Sequence, residues 1–264
     1  MILIAFHVSL ILIITFAFNQ LMIKSKIVKI PNVYFGATFL ILSMPLLLNN
    51  IHLVTLIMIL LCTILYVEII TIKLSNNKLL NTFNTGFILA LMALLDLESS
   101  FFYLFIFLSF LFYKEFEAKT ILIQTMGGLS IVPIYYVISE LNLIPKEKIQ
   151  KIPFNLEQAY YAYSNHKFLM AICFLITILS IYELYIKYYK KTEHAKLAFS
   201  TLIILTLVIT LHLAIFHKVQ YIFFLIIPTT IIITNYLIYI KTGMFRTFLL
   251  GLLLIAYLLD LFYL

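Results

Sequence analysis

The chain of 264 residues contains no tryptophan, two cysteines, six glycines and six prolines. Charge is scarce too: 11% of residues are charged, against about 25% in an ordinary soluble domain. Each shortage excludes something. The two cysteines, Cys62 and Cys173, lie inside apolar runs and give no disulfide or zinc framework. So little charge excludes a disordered chain and a coiled coil with charged flanks. No P-loop, HExxH, GxSxG or serial-arginine pattern occurs. What is present instead is apolar: 64% of the residues. A soluble fold of this size still exposes about a quarter of its unfolded surface, so a soluble enzyme is excluded as well. The remaining class is a multi-spanning membrane protein.

A helix needs about 20 apolar residues to cross a bilayer. A membrane barrel would show short segments of alternating polarity, whereas these runs are uniformly apolar. The expected fold is therefore all-α, a polytopic transmembrane helical bundle of about 10 spans (8–10), forming a single integral membrane domain over residues 1–264. The spans are Ile2–Ile23, Val33–Leu48, Ile51–Ile72, Asn81–Leu97, Ser99–Tyr113, Thr120–Ile138, Phe168–Ile186, Leu197–Phe216, Tyr221–Ile240 and Phe248–Leu264. The lower count applies if residues 81–113 form a re-entrant hairpin. The first ten residues carry no Lys or Arg, and the apolar run continues to Ile23, so it reads as a retained span rather than a signal peptide.

The formal net charge is +7. The lysines sit in short loops between apolar runs, so they read as orientation signals and contacts to anionic lipid, not as a nucleic-acid surface. Ten crossings place 13 basic residues on one side and 5 on the other. Four of those five, Lys146, Lys148, Lys151 and Lys167, belong to the longest loop, Ser139–Lys167, which weighs little in the rule. The first side is expected to be cytoplasmic and both termini periplasmic. Tyrosine must supply the interfacial anchors: Tyr66, Tyr113, Tyr185, Tyr188, Tyr189, Tyr236 and Tyr239 at cytoplasmic ends, Tyr103, Tyr160, Tyr161, Tyr163, Tyr221 and Tyr263 at outer ends. The outer loop, residues 139–167, is expected to carry a short interfacial helix capped by Asn155.

Pro45, Pro133 and Pro228 fall inside spans and should bend them. Gly127-Gly128 before Pro133 marks the sixth span as bent or locally open. Lys114–Thr120 reads as a charged turn solvated by a Glu115–Lys119 pair. Ala93–Leu97 (ALLDL) echoes Tyr257–Leu261 (YLLDL) faintly.

Ionisable groups at membrane depth are costly, and so they are where chemistry would be sought. Glu68 and Glu183 lie near cytoplasmic ends, within reach of Lys73 and Lys187. Five histidines (His7, His52, His166, His212 and His217) and six acids collect toward the outer side. Asp96-Leu97-Glu98 is the sharpest feature. Two carboxylates in an outer turn could hold a divalent cation against a phosphate, as in membrane glycosyltransferases with polyprenyl-phosphate donors. Asp96 and Glu98 are thus the candidate catalytic residues, and His52, His212 and Asp260 the candidate substrate-binding residues. No cofactor or metal is expected outside that transferase case.

Residues 84–113 (NTGFILALMALLDLESSFFYLFIFLSFLFY) running into KEFEAKTILIQTMGGLSIVPIYYV, Phe223–Lys241 (FFLIIPTTIIITNYLIYIK), and the Lys-marked loop with Asn76-Asn77 before the fourth span together resemble an uncharacterised family of multi-spanning inner-membrane proteins of gliding-type Gram-negative bacteria. The resemblance covers about two thirds of the chain. It implies the inner membrane of a double-membraned cell, and it carries over no catalytic residues. Some members are labelled beta-carotene monooxygenase. That activity needs a soluble propeller with four iron-binding histidines, for which this chain has no room. The family's hairpin here is aromatic and proline-rich, so Asp96 and Glu98 depart from it.

The expected function is a non-enzymatic integral inner-membrane subunit or scaffold of a cell-envelope assembly. Its partners would be membrane lipids and other membrane subunits. The alternatives are a membrane transferase acting on a lipid-linked precursor through Asp96 and Glu98, and a small-molecule or lipid transporter lined by Thr229, Thr230 and Asn235.

Overall fold

The structure is a computed structural model that describes residues 34–48, 53–74, 77–140, 167–187, 193–216, 219–240 and 242–262, with scattered positions between 9 and 23. His52 and nearly all of the expected outer loop lie outside the described residues, as does half of the expected first span. Among the described residues there is no strand. The α-helices are α1 (Tyr34–Leu48), α2 (Leu53–Leu74), α3 (Lys78–Leu95), α4 (Tyr103–Tyr113), α5 (Ala118–Leu129), α6 (Ile131–Glu140), α7 (Lys167–Lys187), α8 (Glu193–Phe216), α9 (Ile226–Tyr239) and α10 (Gly243–Phe262). Two 3-10 segments, Leu97–Phe102 and Val219–Leu225, lead into α4 and α9.

Seven stretches of the described helices are long and apolar enough to cross a membrane: Val54–Lys73, Lys78–Leu95, Ala118–Val137, Lys167–Ile186, Ala195–Phe216, Tyr221–Tyr239 and Gly243–Asp260. The protein is a helical membrane protein. Two further apolar helices, Tyr34–Ser43 and Leu97–Tyr113, fall at expected spans but below that length. At about 1.5 Å per residue, the 15 residues of α1 reach roughly 22 Å, short of the ~30 Å hydrocarbon layer.

The helices group into two compact units. One comprises Met1–Leu56, Asn155–Lys196 and Val219–Leu264. Its core joins Ile41 and Leu42 of α1, Leu169 and Ile176 of α7, Ile233 and Leu237 of α9, and Leu249, Leu253 and Ala256 of α10. The other comprises Ile57–Phe154 and Leu197–Lys218.

In the second unit α3 packs along α5 so closely that their backbones touch. A Cβ added at Gly86 would overlap the carbonyl oxygen of Gln124, and one at Gly127 would overlap that of Phe83. Small residues allow this approach, the usual device for joining helices where lipid removes the hydrophobic drive. The glycine pair therefore brings two helices together. The helix is interrupted slightly later, at Ser130, where α5 stops and α6 begins. Pro133 has no N–H to offer the carbonyl four residues back, that of Leu129, which is the last residue of α5. Pro228 meets the same constraint differently: it sits in the first turn of α9, where its missing N–H has no helical partner to lose.

A charged turn follows α4 but covers only residues 114–117, since residues 118–120 already belong to α5. Lys114 closes α4 in the left-handed conformation (φ 58°), so that the Glu115 N–H reaches the Phe110 carbonyl at 2.9 Å. Glu115 pairs with Lys78 at the start of α3, not within its own turn. Of the expected tyrosine anchors, Tyr103, Tyr185 and Tyr239 are exposed, whereas Tyr66, Tyr113 and Tyr221 are buried. Tyr66 donates to the Ala198 carbonyl at 2.9 Å, and Tyr113 bonds Thr201. These two tyrosines tie α2 and α4 to α8, so they are internal fastenings instead of headgroup anchors.

Candidate functional site

The acidic turn lies where α3 ends. Asp96 leaves helical geometry (φ −149°, ψ 114°), and its carboxylate accepts the Glu98 N–H at 3.3 Å, capping the 3-10 segment. This is the common behaviour of aspartate at a helix start, and it occupies one carboxylate oxygen locally. The next residue, Leu97, is exposed, and Ser99 is fully buried.

His212 of α8 meets this turn. It is completely buried, and its Nε2 lies 3.2 Å from the Glu98 carbonyl oxygen. A carbonyl only accepts, so Nε2 carries the proton. Phe101, Phe102 and Phe216 enclose the ring, with centroids 5.6, 5.9 and 4.6 Å away. The ring's packing is edge-on or tilted on all three sides, which fixes its plane. His212 thus pins the acidic turn to α8. The His212 ring reaches the Glu98 backbone carbonyl, and Asp96 stands two residues earlier in the same turn. The Ser99 hydroxyl in the same turn is buried with no hydrogen-bond partner among the described residues. Nothing in the sequence set this serine apart.

Asp260 is elsewhere, in the first unit. Its carboxylate is 2% exposed and accepts two backbone N–H groups at the start of α7, Phe168 at 3.0 Å and Leu169 at 2.9 Å. A carboxylate in the last turn of its own helix faces the negative end of that dipole. Placed against the positive end of a neighbour it is favourable, by about 0.3–2 kcal/mol. Asp260 is therefore an interhelical cap, and that use fills both of its oxygens.

Arg246 mirrors it at the other end of α10. This arginine, the chain's sole one, stands in the first turn of α10, again the unfavourable end of its own helix. Its Nη2 donates to the Ile240 carbonyl at 2.8 Å and toward that of Ile238 at 3.4 Å, at the end of α9. Its Nη1 donates to the Tyr34 hydroxyl at 3.3 Å, and the guanidinium carbon stands 5.0 Å over the Tyr34 ring. Sequence reading took Arg246 only as an orientation mark. Its being arginine in a lysine-rich chain was the available signal, because a guanidinium can donate to several carbonyls while its plane lies over an aromatic ring.

Glu68 lies beside α3: Asn84 Nδ2 donates to its Oε1 at 3.4 Å, and Asn81 Nδ2 to Thr71 at 3.1 Å. Lys73, its expected partner, stands 5.9 Å over the Tyr113 ring. On α9, Thr229 donates to the Leu225 carbonyl at 2.8 Å, while Thr230 and Thr234 are fully buried. Among the described residues no three His, Cys, Asp or Glu side chains gather as metal ligands would.

No family model, curated protein or solved structure matches this chain. The functional reading therefore rests on the residues themselves.

Proposed function

We propose that the protein is a non-enzymatic integral subunit or scaffold of a cell-envelope assembly. It would reside in the inner membrane of a Gram-negative bacterium of the gliding type, with both termini periplasmic. One observation supports this above the rest: the ionisable side chains described at helix ends serve the fold. Asp260 caps α7, Arg246 caps α9, Glu115 holds Lys78, and Asp96 caps its own turn. Around them the helices present wide apolar faces, such as Phe174, Leu175 and Ile178 of α7, suited to lipid and to neighbouring membrane helices. Affinity purification of the tagged chain from native membranes in mild detergent is expected to return a reproducible set of membrane proteins. Recovery of the chain alone would overturn this reading.

A second reading is favoured by Asp96 and Glu98 sharing one turn at the end of α3. A transferase acting on a polyprenyl-phosphate-linked precursor would use the Asp96 and Glu98 carboxylates, with a divalent cation, to handle the phosphate. That reading expects Asp96→Asn to abolish envelope glycan synthesis at normal protein level. Unchanged glycans would remove it.

A further inference from the structure

Threonine in these helices follows one habit. The hydroxyls of Thr38, Thr63, Thr177, Thr201, Thr206 and Thr229 each donate to the carbonyl four residues back, at 2.7–2.8 Å. That bond settles a hydroxyl where no solvent reaches it. Thr230 and Thr234 of α9 depart from the habit. Both are 0% exposed, and neither hydroxyl has a hydrogen-bond partner among the described residues. Two such groups are costly, because each has given up its hydration without a replacement.

Their placement is specific. Residues 230 and 234 lie one turn apart on one face of α9, and that face continues through Ile233 and Leu237. Ile233 and Leu237 belong to the core that joins α9 to α1, α7 and α10. The threonine pair therefore faces protein and not lipid. Residues four apart on a helix carry their Cβ atoms about 5–6 Å from each other. Two O–H···O hydrogen bonds of about 2.8 Å, laid end to end, span that same distance. We propose that Thr230 and Thr234 hold one buried water molecule between them, a hydration site inside the first unit. The water accepts from one hydroxyl and donates to the other, so both groups are met at once. A charged ligand does not suit the pair, since two neutral hydroxyls offer it no counter-charge. The inference needs neither functional reading.

The test measures the thermal midpoint of the full chain in one detergent for Thr230→Val, Thr234→Val and the double variant. Valine keeps the shape of threonine and removes the hydroxyl. With a shared water, each single variant strands the remaining hydroxyl, and the midpoint should fall by roughly 2–4 °C. The double variant strands nothing and should fall by less than either single one. A cryo-electron microscopy map that resolves ordered water should show a peak within about 3.2 Å of both hydroxyls. Where a single variant does not fold, that map decides alone. The proposal is overturned by a rise or no change in either single variant, by losses that add in the double variant, or by a map without the peak.

Discussion

At the scale of single residues, charge in this protein is placed by helix termini. Asp260 and Arg246 each stand at the wrong end of α10 for its dipole and at the right end of a neighbour's. Asp260→Asn should lower stability by about 1–3 kcal/mol, because a buried charge-assisted pair of hydrogen bonds is replaced by weaker acceptance and a stranded N–H. Thermal unfolding in a fixed detergent measures it, and an unchanged midpoint would show the cap to be dispensable. Lys114 tests a different cost. It adopts a left-handed backbone without being glycine, so Lys114→Gly should raise stability by up to about 1 kcal/mol in the same assay. Asp96, Glu98 and Asp260 were visible in the sequence because carboxylates are rare there. Their partners were not: the α7 N-terminus lies more than ninety residues before Asp260, and no local pattern records that approach. Gly86 was invisible for the same reason, since its meaning is the Gln124 backbone across the crossing.

At the scale of elements, the α3–α5 crossing is the tightest joint described. Gly86→Ala or Gly127→Ala should each cost about 1–3 kcal/mol, since the obstacle is backbone that cannot rotate away. Gly128→Ala, whose Cβ would lie 3.7 Å from the Gly86 carbonyl, and Gly251→Ala, which faces open space, should change stability by no more than about 1 kcal/mol. Equal effects at all four positions would refute a joint built on close approach. Span positions were legible from hydropathy, and α7 begins and ends within a residue of expectation. Helix type was not legible. In Leu97–Tyr113, six residues of 3-10 helix rise about 2.0 Å each, so 17 residues reach roughly 28 Å where an α-helix would reach roughly 26 Å. Tyr221–Tyr239 opens the same way. Hydropathy counts residues and is blind to rise per residue, so short spans and long ones cannot be separated by it alone.

At the scale of the molecule, the apolar composition decided the class, and the seven long helices agree with it. The arrangement of helices into two units did not follow from the order of spans, since each unit draws on separated stretches of chain. Sidedness remains a sequence-based expectation with a direct check. Lys190 or Lys191, changed to cysteine, should resist membrane-impermeant thiol reagents in intact cells and react once the membrane is opened. Labelling in intact cells would reverse the orientation.

The double anchorage of α10 also orders events during synthesis. α7 and α9 precede α10 in the chain, so the N–H groups that Asp260 meets and the carbonyls that Arg246 meets are made before their partners. Arg246 lies in the first turn of α10 and Asp260 in its last. A nascent chain stopped just short of Asp260 would hold every α7 residue and still lack the latch that seats it.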